Sequence, residues 1–188
     1  MLMGFIPRRG DPYLFVVGMT GVAMGDRMLL IGCADVGRLA ALAAKVGLSG
    51  HAVAVVPDER SAARARKGAA GAGVLVDVEV APPTRLPVES DTFDFAVIDD
   101  TGGFAGALTR EARVAMLREV LRALRSGGRA IVIGAAPRGW LGALLTRAQS
   151  GPGFDAIAAL SAEGFKGVRR LAEREGLTFV EGVRPRSS

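Results

Sequence analysis

Residues 28–33 read Met28-Leu29-Leu30-Ile31-Gly32-Cys33, a short apolar run that stops at a glycine. Similar runs, rich in branched side chains and mostly without polar alternation, recur along the chain at 52–56, 74–80, 93–98 and 130–133. Such runs are typical of strands that are buried on both faces of a parallel sheet. Helical patterns lie between them, and this alternation predicts an α/β domain in which helices cover the sheet.

The helical patterns are bounded by residues that commonly begin or end helices. Apolar side chains recur at helical spacing over 39–46 until Gly47, and an alanine-rich helix over 59–70 follows Asp58. A third apolar stripe follows Thr109, covers 114–124 and is ended by a pair of glycines. By contrast, the link 81–92 carries three prolines, which predict a loop rather than a crossover helix.

The length of 188 residues predicts one domain, spanning 1–188. It divides into an N-terminal helical segment over 1–25, a core over 26–135 that carries the five predicted strands, and a closing part over 136–188. This closing part is expected to supply a lid helix and a C-terminal hairpin.

Both ends of the chain carry further predicted elements. A helix is expected over 12–22, and an amphipathic helix over 136–150 contains Trp140. This second helix either covers an apolar substrate as a lid or packs as an ordinary outer helix. A further helix and then two strands around a tight turn are predicted over 154–163, 168–173 and 177–183, and strands this close in sequence should be antiparallel.

The composition excludes several kinds of site and partner. A single cysteine excludes a disulfide framework and a multi-cysteine zinc site, and a single histidine leaves little for a metal centre or a histidine triad. The net charge of +5 suits an anionic partner or surface. Aromatic residues are only 5% of the chain, too few for a platform on which nucleic-acid bases stack, so the composition disfavours nucleic acid as the partner. Since no apolar run approaches the ~20 residues of a membrane span, we expect a cytoplasmic protein.

Three stretches together resemble the class I S-adenosylmethionine-dependent methyltransferases, specifically the type 11 group that includes ubiquinone and menaquinone C-methyltransferases. They are residues 28–33 followed by a helix, residues 86–94 with their Leu-Pro pair, and residues 121–129 with their Gly-Gly pair. The resemblance implies a three-layer α/β/α Rossmann-like sandwich whose mostly parallel sheet ends in an antiparallel hairpin. It also implies that S-adenosylmethionine is the cofactor.

The same resemblance places the cofactor at the carboxyl ends of strands one, two and four, where the strand order of an open parallel sheet reverses. In this family a glycine-rich loop follows strand one, an acid after strand two grips the ribose, and an acid before the Leu-Pro pair contacts adenine. The cofactor-binding residues that we expect in this chain are Gly32, Cys33, Ala34 and Asp35 of the first loop, together with Asp58 and Asp99 beyond strands two and four.

The chain departs from the family pattern at several of these positions. Only Gly32 keeps its glycine in the first loop, since the other two glycine positions are Ala34 and Val36, and Leu30 stands where an acid is common. The ribose acid falls on Val56, and the acids before the Leu-Pro pair fall on residues 82 and 85, which are proline and arginine. We therefore expect a degenerate cofactor motif with weakened affinity, because each lost carboxylate removes a charge-assisted hydrogen bond.

Several of the implied residues also have a structural explanation. Asp58 and Asp35 either contact the cofactor or cap the helices that follow them. Asp99 and Asp100 either act on a substrate or form a turn with the glycines that follow. Cys33 is either a reactive thiol or a small buried side chain.

Two functions of different classes remain open, and neither assigns a catalytic residue. The first is methyl transfer to a small apolar or aromatic acceptor, in which alignment supplies much of the rate. The second is a non-catalytic relative that holds a partner protein or an anionic surface through its N-terminal segment, the Trp140 helix or its arginine-rich end. A nicotinamide-binding enzyme is disfavoured, because residues 32–37 do not match Gly-x-Gly-x-x-Gly. The oligomeric state stays open.

Overall fold

The computed structural model describes residues 12–136 and 154–186. Seven strands form one sheet in the order β3-β2-β1-β4-β5-β7-β6. The strands are β1 (Arg27–Ile31), β2 (His51–Val56), β3 (Asp77–Val80), β4 (Phe93–Asp100), β5 (Leu124–Ala135), β6 (Lys166–Arg174) and β7 (Leu177–Val183). The helices are α1 (Leu14–Thr20), α2 (Val36–Val46), α3 (Glu59–Ala72), α4 (Phe104–Ala107), α5 (Arg110–Ala123) and α6 (Ala156–Ala162).

The first five strands are parallel, and the last two close the sheet as an antiparallel pair. β1 pairs with β2 on one side and with β4 on the other, so the order of the strands reverses there. A crevice forms at such a reversal, outside the carboxyl ends of the strands. Below, "the crevice" means this place at the carboxyl ends of β1, β2 and β4.

Alternate side chains of each central strand enter two separate hydrophobic cores. Leu30 of β1 lies in one core with side chains of α1, α2 and α3, whereas Ile31 lies in the other with side chains of α4, α5 and α6. Both residues are 1% exposed. Helices therefore cover both faces of the sheet, which confirms the predicted α/β/α sandwich. Burial on both faces also explains why the apolar runs lack polar alternation.

Several predicted boundaries are wrong around the ends of strands. β3 begins at Asp77 rather than at residue 74, and β4 continues through Asp99 and Asp100, which therefore do not follow the strand. The glycines at 127 and 128 lie inside β5 and do not end the helix, which stops at Ala123. Gly127 has φ +78° there, and the pairing of β4 with β5 shifts register between Phe93 and Phe95. The glycines therefore lie at an irregularity in the strand pairing, where a left-handed residue fits.

The predicted elements at the two ends are found only in part. α1 is shorter than the predicted helix over 12–22, β6 is longer than 168–173, and β7 has the predicted bounds. The predicted lid helix over 136–150, with Trp140, lies outside the described residues apart from its first position. Within the two described ranges, no helix combines the length and apolarity that crossing a membrane requires.

Candidate functional site

The loop that leaves β1 begins at Gly32, which lies at the floor of the crevice. Its φ of +74° is in the left-handed region, and a Cβ at this position would lie 3.1 Å from the carbonyl oxygen of Asp99. The backbone N–H of Gly32 donates to the carbonyl of Val55 at 3.1 Å, so the residue bridges β2 and β4. A side chain would strain the backbone and crowd β4, which explains why glycine is kept here.

Val36, at the third glycine position of the family pattern, packs between two helices. Its Cγ1 occupies the space where a Cβ on Gly68 of α3 would be, and its own Cβ would lie 3.1 Å from that atom. The branched side chain is thus accommodated by a glycine on the neighbouring helix. A branched side chain at this glycine position is expected to crowd a ligand, but its bulk lies in the α2–α3 contact.

Asp35 caps α2, as one of the two explanations requires. Its Oδ1 accepts hydrogen bonds from the backbone N–H of Gly37 at 2.9 Å and of Arg38 at 3.2 Å. The hydroxyl of Tyr13 also donates to this oxygen at 3.0 Å, and the phenol ring covers Gly37 so closely that a Cβ there would overlap it. Sequence reasoning missed Tyr13, since a tyrosine in an N-terminal segment carries no signal of the helix it covers.

Asp99 is buried beneath the crevice rather than exposed in it. The residue is 1% exposed, and its Oδ1 accepts from Arg38 Nη1 at 2.7 Å and from the Thr101 hydroxyl at 2.7 Å. Its Oδ2 accepts a long hydrogen bond of 3.4 Å from the backbone N–H of Asp35. In this conformation the carboxylate is enclosed by protein groups that donate to both of its oxygens.

Arg38 is a buried charge that the sequence did not single out. It is 5% exposed, donates from Nη1 to Asp99 and to Thr101, and lies 3.7 Å from a carboxylate oxygen of Asp35. No described residue accepts a hydrogen bond from its buried Nε. An arginine in the first turn of an amphipathic helix is normally solvated, so only the fold shows that this one points inward.

Cys33 fits the explanation of a small, partly buried side chain. Burial raises the pKa of its thiol to about 11, and the nearby negative charges of Asp99 and Asp35 add to the effect. At neutral pH the sulfur is therefore protonated and a poor nucleophile.

Asp58 is the carboxylate that reaches the surface at the end of β2. Its Oδ1 accepts from the backbone N–H of Ser61 at 2.7 Å, which caps α3, and this bond lowers the pKa of the carboxyl group. Val56, on which the family's ribose acid falls, is 1% exposed and belongs to a hydrophobic core. Asp58 is exposed, ionised and therefore able to accept further hydrogen bonds from hydroxyl groups.

The remaining candidate residues near the crevice have structural partners. Asp100 accepts from the backbone N–H of Ala105 at 2.6 Å, and burial raises the pKa of its carboxyl group. The link 81–92 is held by α5, where Glu119 accepts from the Leu86 N–H at 2.8 Å and Arg122 donates to the Val88 carbonyl at 2.9 Å. This pairing fixes the loop that carries Pro82 and Arg85, whose positions hold acids in the family pattern.

Comparison with known proteins agrees with this architecture. The profile of a family described as a methyltransferase domain matches residues 28–128, and a search of curated proteins finds no match. A SAM-dependent methyltransferase from Aquifex aeolicus has a TM-score of 0.74 at 18% identity, covering 93% of this chain and 90% of that one. The S-adenosylmethionine-dependent methyltransferase SibL, in its apo form, has a TM-score of 0.71 at 24% identity, covering 94% of this chain and 55% of SibL.

A third structure is PigF with SAH, which has a TM-score of 0.64 at 19% identity and covers 85% of this chain and 50% of PigF. All three likenesses are to proteins of low identity and concern the fold. The chain spans about half the length of SibL and of PigF.

Proposed function

The chain belongs to the methyltransferase domain family, and we propose that it binds S-adenosylmethionine in the crevice and transfers the methyl group to a small acceptor. The observation that carries the proposal is the conformation of the first loop. Gly32 turns at φ +74° against β4, and the bulk of Val36 is taken up at Gly68. This conformation supports a loop whose backbone would come close to a ligand, as the family's glycines allow.

The residues that would hold the cofactor come from the ends of β1 and β2. Residues 32–35 would offer backbone groups to it, and the exposed, ionised carboxylate of Asp58 would accept from the ribose hydroxyls. Each hydrogen bond to a charged group contributes about 1.5–3 kcal/mol, which is enough to compensate for the apolar residue at position 56. Asp35 would act indirectly, by holding the first turn of α2 through its cap.

The chemistry asked of this chain is alignment. S-adenosylmethionine supplies a methyl group on a positively charged sulfur, which an aligned acceptor can take without a nucleophilic residue of the protein. We assign no catalytic residue, because Asp99 is buried and the thiol of Cys33 is protonated. The acceptor we propose is small and apolar or aromatic, as the resemblance to the type 11 group implies, and the protein acts in the cytoplasm.

The first experiment measures thermal unfolding of the whole chain with and without S-adenosylmethionine or S-adenosylhomocysteine. Ligand at a hundred times its dissociation constant stabilises a protein by about 2.7 kcal/mol, which raises Tm by roughly 5–10 °C at this size. Such a shift supports the proposal, and calorimetric titration then gives the Kd. No shift at millimolar concentration of either compound contradicts it and favours the non-catalytic alternative.

A pair of variants at Asp58 separates cofactor binding from helix capping. Asp58→Asn keeps the cap of α3, because asparagine caps helices about as well as aspartate, but it removes the charge. We expect Asp58→Asn to keep the Tm of the free protein and to weaken S-adenosylhomocysteine binding about tenfold. Asp58→Ala should lower both. Unchanged affinity in Asp58→Asn would remove this residue from the proposed site.

A further inference from the structure

The two loops beside the crevice are joined underneath by one buried ion pair. The Asp99 carboxylate contacts the loop after β1 by accepting from the Asp35 N–H, and it contacts the loop after β4 by accepting from the Thr101 hydroxyl. Arg38 approaches the same carboxylate from α2 and also donates to Thr101 at 3.0 Å. A single carboxylate thus touches the first loop, the first turn of α2 and residues beyond β4.

We propose that Arg38 and Asp99 are positioning residues that fix the spacing of the two crevice loops and thereby set the affinity for the nucleotide. This inference rests on the proposed function for the identity of the ligand. Neither side chain touches the ligand, since both are more than nine-tenths buried. Their effect passes through the backbone of residues 32–35 and through the Thr101 side chain.

The division of labour between the two carboxylate oxygens supports this role. Oδ1 is taken by Arg38 and Thr101, and Oδ2 is left for the backbone of the first loop. The same end of β4 also meets the loop through its main chain, where the Asp99 carbonyl lies 3.1 Å from a Cβ built on Gly32. Movement of Asp99 would therefore disturb the loop at the Asp35 N–H, close to where the Gly32 backbone passes β4.

The energetics of the pair point away from a purely stabilising role. Burying two charges costs desolvation energy, and apolar residues of similar size at such positions are often as stabilising or more so. The Nε of Arg38 is buried without an acceptor among the described residues, which is a further cost. What the pair provides that apolar side chains would not is an acceptor aimed at the first loop.

The decisive comparison uses a second buried carboxylate of the same chain as the control. Glu181 in β7 is 4% exposed, and its two oxygens accept from Arg129 at 2.6 Å and from Arg169 at 3.0 Å. Asp99→Asn and Glu181→Gln therefore make the same chemical change, one beneath the crevice and one distant from it. In each, the amide keeps one acceptor and turns an NH2 group towards the other donor.

The affinity of each variant for S-adenosylhomocysteine is measured by calorimetric titration, beside its stability to urea. We expect both variants to lose stability and only Asp99→Asn to bind at least tenfold more weakly. The double variant Arg38→Met with Asp99→Leu should regain stability and still bind at least tenfold more weakly, since it has no acceptor for the Asp35 N–H. Affinity that recovers together with stability, or equal losses in Asp99→Asn and Glu181→Gln, would overturn the proposal.

Hydrogen exchange keeps the inference testable apart from the proposed function. We expect faster exchange over residues 32–38 in Asp99→Asn and in the double variant, and none of this acceleration in Glu181→Gln. If the unaltered protein does not bind S-adenosylhomocysteine, the proposed function fails and this exchange pattern still decides the positioning role. Exchange over 32–38 that is unchanged in the folded variants overturns it, and if Asp99→Asn does not fold, the double variant is compared with Glu181→Gln instead.

Discussion

The side chain of Val36 fills the space that Gly68 leaves open on the neighbouring helix. α2 and α3 approach each other at this contact, and a Cβ on Gly68 would overlap Cγ1 of Val36. Rotating Val36 about χ1 would move Cγ1 away but would leave its Cβ 3.1 Å from the added atom, which is still a tight contact, and valine in a helix strongly prefers one χ1 rotamer. The two positions therefore form a matched pair, with a branched side chain on α2 and no side chain on α3.

This pair predicts the sign of a double-mutant cycle. In a helix interior, replacing glycine by alanine normally stabilises by about 1 kcal/mol. At Gly68 the overlap with Val36 should outweigh that gain, since overpacking costs about 1–3 kcal/mol, and Gly68→Ala should lower the free energy of unfolding. Adding Val36→Ala should restore most of the loss. Urea unfolding measures all three variants.

Gly71 supplies the control on the same helix. A Cβ at this position meets nothing within 4 Å, so Gly71→Ala should keep or raise the free energy of unfolding. Loss of stability in Gly71→Ala equal to that in Gly68→Ala would show that both glycine positions of α3 disfavour alanine for a shared reason, and the overlap with Val36 would not be that reason.

The same contact predicts that Val36 does not limit nucleotide affinity. Val36→Gly restores the family's glycine, but it removes a side chain that lies against Gly68 rather than in the crevice. We expect the variant to lose stability and to bind S-adenosylhomocysteine within about twofold of the unaltered protein, a difference of about 0.4 kcal/mol. Affinity that rises tenfold in a calorimetric titration would mean that the branched side chain does obstruct the ligand.

The thiol of Cys33 should react slowly in the folded protein. Raising its pKa from 9.0 to about 11 lowers the thiolate fraction at pH 8 roughly 100-fold, and the thiolate is the nucleophile. Alkylation by iodoacetamide at pH 8 should therefore be about 100-fold slower in the native state than in the chain unfolded by urea. Cys33 is the only cysteine in the sequence, so the label reports on it alone. Comparable rates in the two conditions would show an accessible, activated sulfur.

The stability that Glu119 contributes by holding the loop with Pro82 and Arg85 should depend on pH. The side-chain hydrogen bond from Arg122 lowers the pKa of Glu119 below its usual 4.5. A lowered carboxyl pKa adds stability above the unfolded pKa, and this stability is lost as the pH falls through the folded pKa. Glu119→Gln should therefore cost about 1 kcal/mol at pH 7 and progressively less below pH ~4.5, as measured by urea unfolding.

Glu173→Gln is the matched control for this pH dependence. It removes an exposed ion pair with Arg170 on the edge strand β6, at 2.8 Å. Exposed pairs contribute roughly 0–1 kcal/mol, so the free energy of unfolding of this variant should stay close to that of the unaltered protein at pH 7 and at pH 3.5. A loss in Glu119→Gln that is the same at pH 7 and at pH 3.5 would assign its effect to packing rather than to charge.

How far the sequence predicts the site differs from residue to residue. Asp35 and Asp58 were identified with both of their explanations, and the structure gives each a helix cap, because an acid just before a helical pattern is a local signal. Asp99 was identified by its place after an apolar run, but its burial was not predicted. Arg38 and Tyr13 were missed, since nothing in the neighbouring residues tells which distant group each one contacts.

By itself, the sequence determined the α/β class, the five parallel strands and the closing antiparallel pair. These follow from apolar runs, helix caps and glycines, which are properties of neighbouring residues. Only the tertiary structure decided that Val36 packs on Gly68 and that Arg38 meets Asp99, 61 residues away in the chain. Such contacts depend on how separate helices and strands pack together, and the residues that neighbour a side chain in the sequence do not indicate that packing.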